Sequence, residues 1–68
     1  MSEEQVHNQV RELRREAGMT QADLAGKVAV TRQTIIAIER GNYIPSVLLA
    51  LKLARAFNIS VETIFSYE

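Results

Sequence analysis

The sequence predicts an all-α fold of five short helices in one domain, residues 1–68. Three observations lead there. Apolar residues recur at spacings of three and four with no alternating run, Thr20, Thr31, Ser46 and Ser60 stand where helix-starting side chains belong, and the connections between apolar segments are only a few residues long.

The first helix is expected over residues 3–17, because Val6, Val10, Leu13 and Ala17 stand four, three and four residues apart and make one apolar stripe. Gly18 supplies its left-handed stop. Thr20 with Asp23 three residues on resembles a capping box with Asp in place of Glu, and Leu24, Ala25 and Val28 give the second helix its buried face. Gly26 weakens that helix by roughly 1 kcal/mol relative to Ala. After a break at residues 29 and 30, Thr31 caps a third helix over residues 32–40, ended by Gly41 and Asn42. At about 100° per residue, Ile35 and Ile38 fall on one side of it and Arg32, Gln33, Ile36, Ala37 and Arg40 on the other. A loop over residues 42–45 holds the single Pro. Ser46 then caps a fourth helix running to Phe57, with Leu48, Leu51 and Ala54 expected inward, and Ser60 opens a short fifth helix over residues 61–65.

Composition bounds the chemistry. A chain of 68 residues buries only about 60% of the surface its unfolded form exposes, and with no Cys it has neither disulfides nor thiolate metal ligands. Stability must come from helix packing, or from packing together with a partner subunit. His7 is the only His, there is no Trp and no Gly-rich phosphate loop, so an enzyme is not expected, nor a metal or cofactor. His7 itself reads as a solvated side chain rather than a ligand. Eight basic and eight acidic residues cancel, but they are unevenly spread. Residues 1–26 carry three basic and five acidic groups, residues 27–55 carry Lys27, Arg32, Arg40, Lys52 and Arg55 against Glu39, and residues 56–68 carry only Glu62 and Glu68. The middle is therefore at plus four and each end at minus two. The start is acidic, without the regions of a secretory signal, and no apolar run approaches the ~18 residues that span a bilayer; a cytoplasmic chain with no membrane partner is expected.

The second and third helices, joined by a turn of about three residues, make a helix-turn-helix arrangement, in which the second of the pair enters the major groove of DNA. The residues add detail. Gln21-Ala22-Asp23-Leu24-Ala25 followed by Val28, Val30, Ile35 and Ile38 resembles the lambda-repressor and Cro-like (XRE-type) family, with the small Ala25 where the two helices cross. Arg32-Gln33-Thr34-Ile35, Ile38-Glu39, Tyr43, Pro45-Ser46, Leu49-Ala50-Leu51, Leu53-Ala54 and Ile64-Phe65 are similar to its compact stand-alone members, so the resemblance covers residues 10–65. It implies a lambda-repressor-like five-helix fold, double-stranded DNA as partner, and a structural pair between Arg14 and Glu39; the other reading of Arg14 is a phosphate contact. Two departures stand out. Members of that family usually have Gly at the position of Ala29, where the backbone tends toward positive φ; a left-handed Ala costs about 1–2 kcal/mol, so the turn either bears that strain or is reshaped. The acidic amino terminus also lacks the basic arm some relatives lay on DNA.

Candidate contacts follow from position. Arg32 and Gln33 begin the recognition helix, Arg being suited to guanine and Gln to adenine, while Ile36 and Ala37 on the same face can meet thymine methyl groups. A plain solvated face is the rival reading, and a single exposed Ile needs no special cause. Gln21, in the first turn of its helix, and Arg40, Asn42 and Tyr43, just past the recognition helix, are candidates for phosphate contacts, with Tyr43 also placed to pack the loop.

These residues together point to a sequence-specific DNA-binding transcriptional regulator, a repressor acting as a homodimer on a palindromic operator, with no small-molecule ligand. Ile59, Val61, Ile64, Phe65 and Tyr67 crowd nine residues, and with Ile44 they are the expected dimer interface; for Ile59, Ile64 and Phe65 the other reading is closure of the monomer core. Two-fold symmetry then sets half-sites about 34 Å apart. A rival of another class is a protein-interaction module, antitoxin-like or partner-binding, that keeps the fold without operator binding. Arg32, Gln33 and Arg40 on the outward face favour DNA, where acids would favour a protein.

Overall fold

A computed structural model describes residues 4–68. Five helices, α1 (Val10–Glu16), α2 (Gln21–Lys27), α3 (Arg32–Glu39), α4 (Val47–Phe57) and α5 (Val61–Ile64), lie between two short strands, β1 (Val6–Asn8) and β2 (Phe65–Tyr67). The all-α expectation is thus approximate: β1 and β2 form an antiparallel ribbon with Val6 opposite Tyr67, His7 opposite Ser66 and Asn8 opposite Phe65.

The ribbon corrects both ends of the helical reading. Residues 4–9 do not belong to α1, and residue 3 lies outside the described residues. Val6 stands at helical spacing from Val10, but its backbone is engaged by the carboxy-terminal strand, and Gln5 and Glu68 close the ribbon with N–H to O contacts of 3.0 and 3.1 Å. Asn8 marks the change of conformation. Its Oδ1 accepts the Val10 N–H at 3.1 Å, taking up a free donor of the first turn, while its Nδ2 donates to the Ile38 carbonyl at 3.0 Å and so ties the ribbon to α3. At the other end Phe65 is extended (φ −119, ψ 141), so the fifth helix stops at Ile64 rather than Phe65.

Side chains start the helices as their types require. Thr20 and Asp23 form a reciprocal capping box, and Thr31, Ser46 and Ser60 each accept the backbone N–H three residues on. Left-handed residues end them. Gly18 (φ 70), Ala29 (φ 59), Gly41 (φ 79) and Asn58 (φ 58) turn the chain at the ends of α1, α2, α3 and α4. At each, the next residue's N–H reaches back five positions: Met19 to Arg14, Val30 to Ala25, Asn42 to Ala37 and Ile59 to Ala54, at 2.9–3.0 Å. Ala29 therefore bears the strain, and the turn between α2 and α3 is not reshaped.

The core gathers Val10 from α1, Leu24, Ala25 and Val28 from the α2 end, Ile35 and Ile38 from α3, Leu49, Leu53 and Ala54 from α4, and Ile64 from α5. Leu48 and Leu51 correct the inward face expected of α4, being 63% and 55% exposed. The reason is visible at about 100° per residue: Leu49 and Leu53 share one side of α4, and Val47, Leu48 and Leu51 point away from it with Lys52 and Arg55. The helix is apolar on both faces, so periodicity alone did not say which one is buried. Among the described residues no helix is long and apolar enough to cross a membrane.

Candidate nucleic-acid interface

The outer face of α3 is built by what its inner face buries. With Ile35 and Ile38 fully enclosed and Thr31 capping the first turn, Arg32 and Gln33 project into solvent and Ile36 and Ala37 lie half-buried beside them. Arg32, Ile36 and Arg40 form one wall of an open groove of about 630 Å³. Residues along α1 and at the start of α2, including Arg11, Arg15, Thr20 and Gln21, line the same groove.

A neutralised network lies in this groove. The Arg14 guanidinium donates to both Glu39 carboxylate oxygens, at 2.6 and 3.2 Å, and to the Met19 carbonyl at 2.9 Å, so one buried cation joins α1, the following turn and α3. Gln21 Nε2 adds a third donor to Glu39 at 3.1 Å. The two charged side chains are 10% and 5% exposed. Burial alone would push the Glu39 carboxyl up, but the hydrogen bonds from Arg14 and Gln21, with the fields of Arg14 and Arg11, outweigh it and hold the group below the usual carboxylate range. The Glu39 hydrogen bond likewise holds the Arg14 guanidinium above its usual value against desolvation. Glu39, the acid of the basic middle segment, is thus cancelled locally, and the exposed charged groups of the groove are cationic.

The structure brings some of the sequence candidates together and separates others. Gln21, Arg32, Ile36 and Arg40 share the groove. Gln33 and Asn42 are exposed outside it, Ala37 is half-buried, and Tyr43 leans with Thr34 and Leu48 over a separate hollow near α4. Of the residues expected at a dimer interface, Ile64 is 1% exposed and belongs to the core; Ile59, Val61 and Phe65 are half-buried against it, and Ile44 and Tyr67 are 65% and 73% exposed. Besides Ile44 and Tyr67, the large exposed apolar residues are Tyr43 in the loop before α4 and Val47, Leu48 and Leu51 on the outward side of α4.

Arg11 and Arg15 were not singled out by sequence. The regional charge count concealed them, because Glu12 and Glu16 offset them in number. A helical projection separates the two signs: at about 100° per residue Arg11, Arg14 and Arg15 fall within one arc and the two acids lie beyond it. His7, by contrast, is an exposed partner of Glu68, Nε2 to Oε1 at 3.0 Å.

Residues 10–64 match the helix-turn-helix family. A Bacillus subtilis protein named an uncharacterized HTH-type transcriptional regulator is 51% identical over 63 residues, 93% of this chain and 96% of its own. A Methanocaldococcus jannaschii protein of the same description shares the same identity over the same shares of the two chains. Among solved structures, the restriction-modification controller protein C.AhdI from Aeromonas hydrophila is similar with a TM-score of 0.75 and 35% identity, over 79% of this chain and 82% of that one.

Proposed function

The chain belongs to the helix-turn-helix family, and from that premise we propose that it regulates transcription by setting α3 in the major groove of its operator as a homodimeric repressor. The observation that carries this reading is the exposed start of α3: Arg32 and Gln33 stand free of the core at the end of the helix that reaches base edges, beside a groove whose free charges are positive. Arg32 suits guanine, Gln33 adenine, and Ile36 a thymine methyl. Gln21, Arg40, Asn42 and Tyr43 are the residues we assign to the flanking phosphates, with one Gln21 amide proton engaged by Glu39.

A second copy fits the exposed apolar surface of Ile44, Val47, Leu48 and Leu51, which follows directly on the carboxy-terminal end of α3. Joining two protomers there sets two recognition helices side by side, and the two-fold axis requires a palindromic operator. Selection of bound sequences from a random duplex pool tests base preference, half-site sequence and symmetry together. Recovery of a two-fold symmetric consensus is the expected result; a pool with no enrichment overturns the reading in favour of a protein-binding module.

A further inference from the structure

From the groove between α1 and α3 we infer a phosphate clamp on α1: Arg11 and Arg15 grip the DNA backbone outside the helix-turn-helix itself. The inference rests on the DNA reading above and extends its contact surface to an element that reading does not use. Three observations carry it. Arg11 and Arg15 stand four residues apart, one turn of α1, both exposed and both lining the groove that holds Arg32, Arg40, Gln21 and Ile36. Neither is in an ion pair among the described residues, whereas the adjacent Arg14 is consumed by Glu39. Among the described residues Glu39 is the one acid lining that groove, and it accepts three hydrogen bonds, two of them from the Arg14 cation, so little negative charge is left there to repel a phosphodiester.

Geometry sets the ligand class. α1 and α3 line one groove and are tied across it by Arg14 and Glu39, so when α3 lies against base edges, the α1 arginines are carried to the backbone that borders the same major groove. Guanidinium groups on exposed, flexible side chains suit phosphate oxygens, and their contribution is independent of base sequence. The clamp therefore adds affinity and salt dependence without adding specificity.

The test measures the salt dependence of binding to a fluorescent duplex of random sequence and to one recovered by selection. Arg11→Gln with Arg15→Gln is expected to lower the slope of log affinity against log salt by about 0.9 for each phosphate no longer neutralised, or about 1.8 for the pair in each bound protomer, on both duplexes and with base preference unchanged. Arg11→Lys with Arg15→Lys should restore the slope. Lys27→Gln with Lys52→Gln removes the same charge from a separate hollow of the molecule and should leave it near the wild-type value. Both arginines are exposed, so thermal unfolding should report a folded chain in every case. An unchanged slope in the Gln pair overturns the clamp, as does an equal fall in the Lys27 and Lys52 control, which would reduce the effect to net charge. A wild-type chain that binds neither duplex overturns the DNA reading itself.

Discussion

Ala29 is the residue at which local preference and tertiary demand conflict. Its left-handed backbone lets the Val30 N–H reach the Ala25 carbonyl at 3.0 Å and turns the chain from α2 toward α3, at a cost of about 1–2 kcal/mol for a side chain with a Cβ. Because Gly recovers that strain but adds freedom to the unfolded chain, Ala29→Gly should stabilise the protein by about 1 kcal/mol, read as a higher midpoint in urea unfolding with an unchanged slope. A lower midpoint would show that the turn is not strained. Glu39 makes the opposite kind of contribution. Its folded pKa lies below an unfolded value near 4.3, so the stability it supplies is complete above that pH and is lost as pH falls through the folded value. Melting temperature should therefore drop on the acid side of about pH 4.3, and Glu39→Gln should flatten that limb while lowering stability at neutral pH by about 3–5 kcal/mol, since Arg14 is left buried without its anion. Asp23, whose carboxyl is held low by hydrogen bonds with Thr20, titrates in the same direction and keeps part of the limb. Parallel pH curves for wild type and variant would remove Glu39 from the acid response.

α3 shows how an element can be legible while its use is divided between faces. Its limits and inward residues follow from the Thr31 cap, the Gly41 stop and the Ile35 and Ile38 pair, all local signals. If its outward face reads bases, Arg32→Ala and Gln33→Ala should each cost about 1–3 kcal/mol on a selected site and relax preference at one base pair per half-site. Titrations of both variants against single-base operator changes check this; wild-type affinity in both would assign the two side chains to solvent. α4 was less legible, because a helix with Leu on both sides offers two candidate inner faces. Packing selected the side with Leu49 and Leu53 and left Val47, Leu48 and Leu51 outside.

For the whole molecule, that exposed side of α4 has a direct consequence. Val47 is 77% exposed next to Leu48, Leu51 and Ile44, more apolar surface in one place than a small monomer usually leaves in water. Leu48→Glu alters no buried side chain, so it should remain folded, sediment as a monomer and lose most operator affinity, because one recognition helix alone touches few bases. Wild-type sedimentation as a monomer well above the concentrations needed for DNA binding would refute the dimer. Substitution of Phe65 is a poorer probe, since it packs against the core and sits in the ribbon opposite Asn8.

The caps at Thr20, Thr31, Ser46 and Ser60, the stops at Gly18 and Gly41 and the two short helices around residue 29 were determined by sequence alone, because each depends on side chains within a few residues of the backbone groups they satisfy. The placing of α3 as the second helix of the helix-turn-helix pair followed from the same local signals. The β1–β2 ribbon, the buried side of α4, the αL conformation of Ala29 and the joining of Arg11 and Arg15 to the groove of α3 were decided only in the tertiary structure. The ribbon and the groove depend on partners distant in sequence: Val6 pairs with Tyr67, and the α1 arginines share a groove with a helix that begins at Arg32. A helical period in one segment carries no record of a strand that returns to it from the other end of the chain.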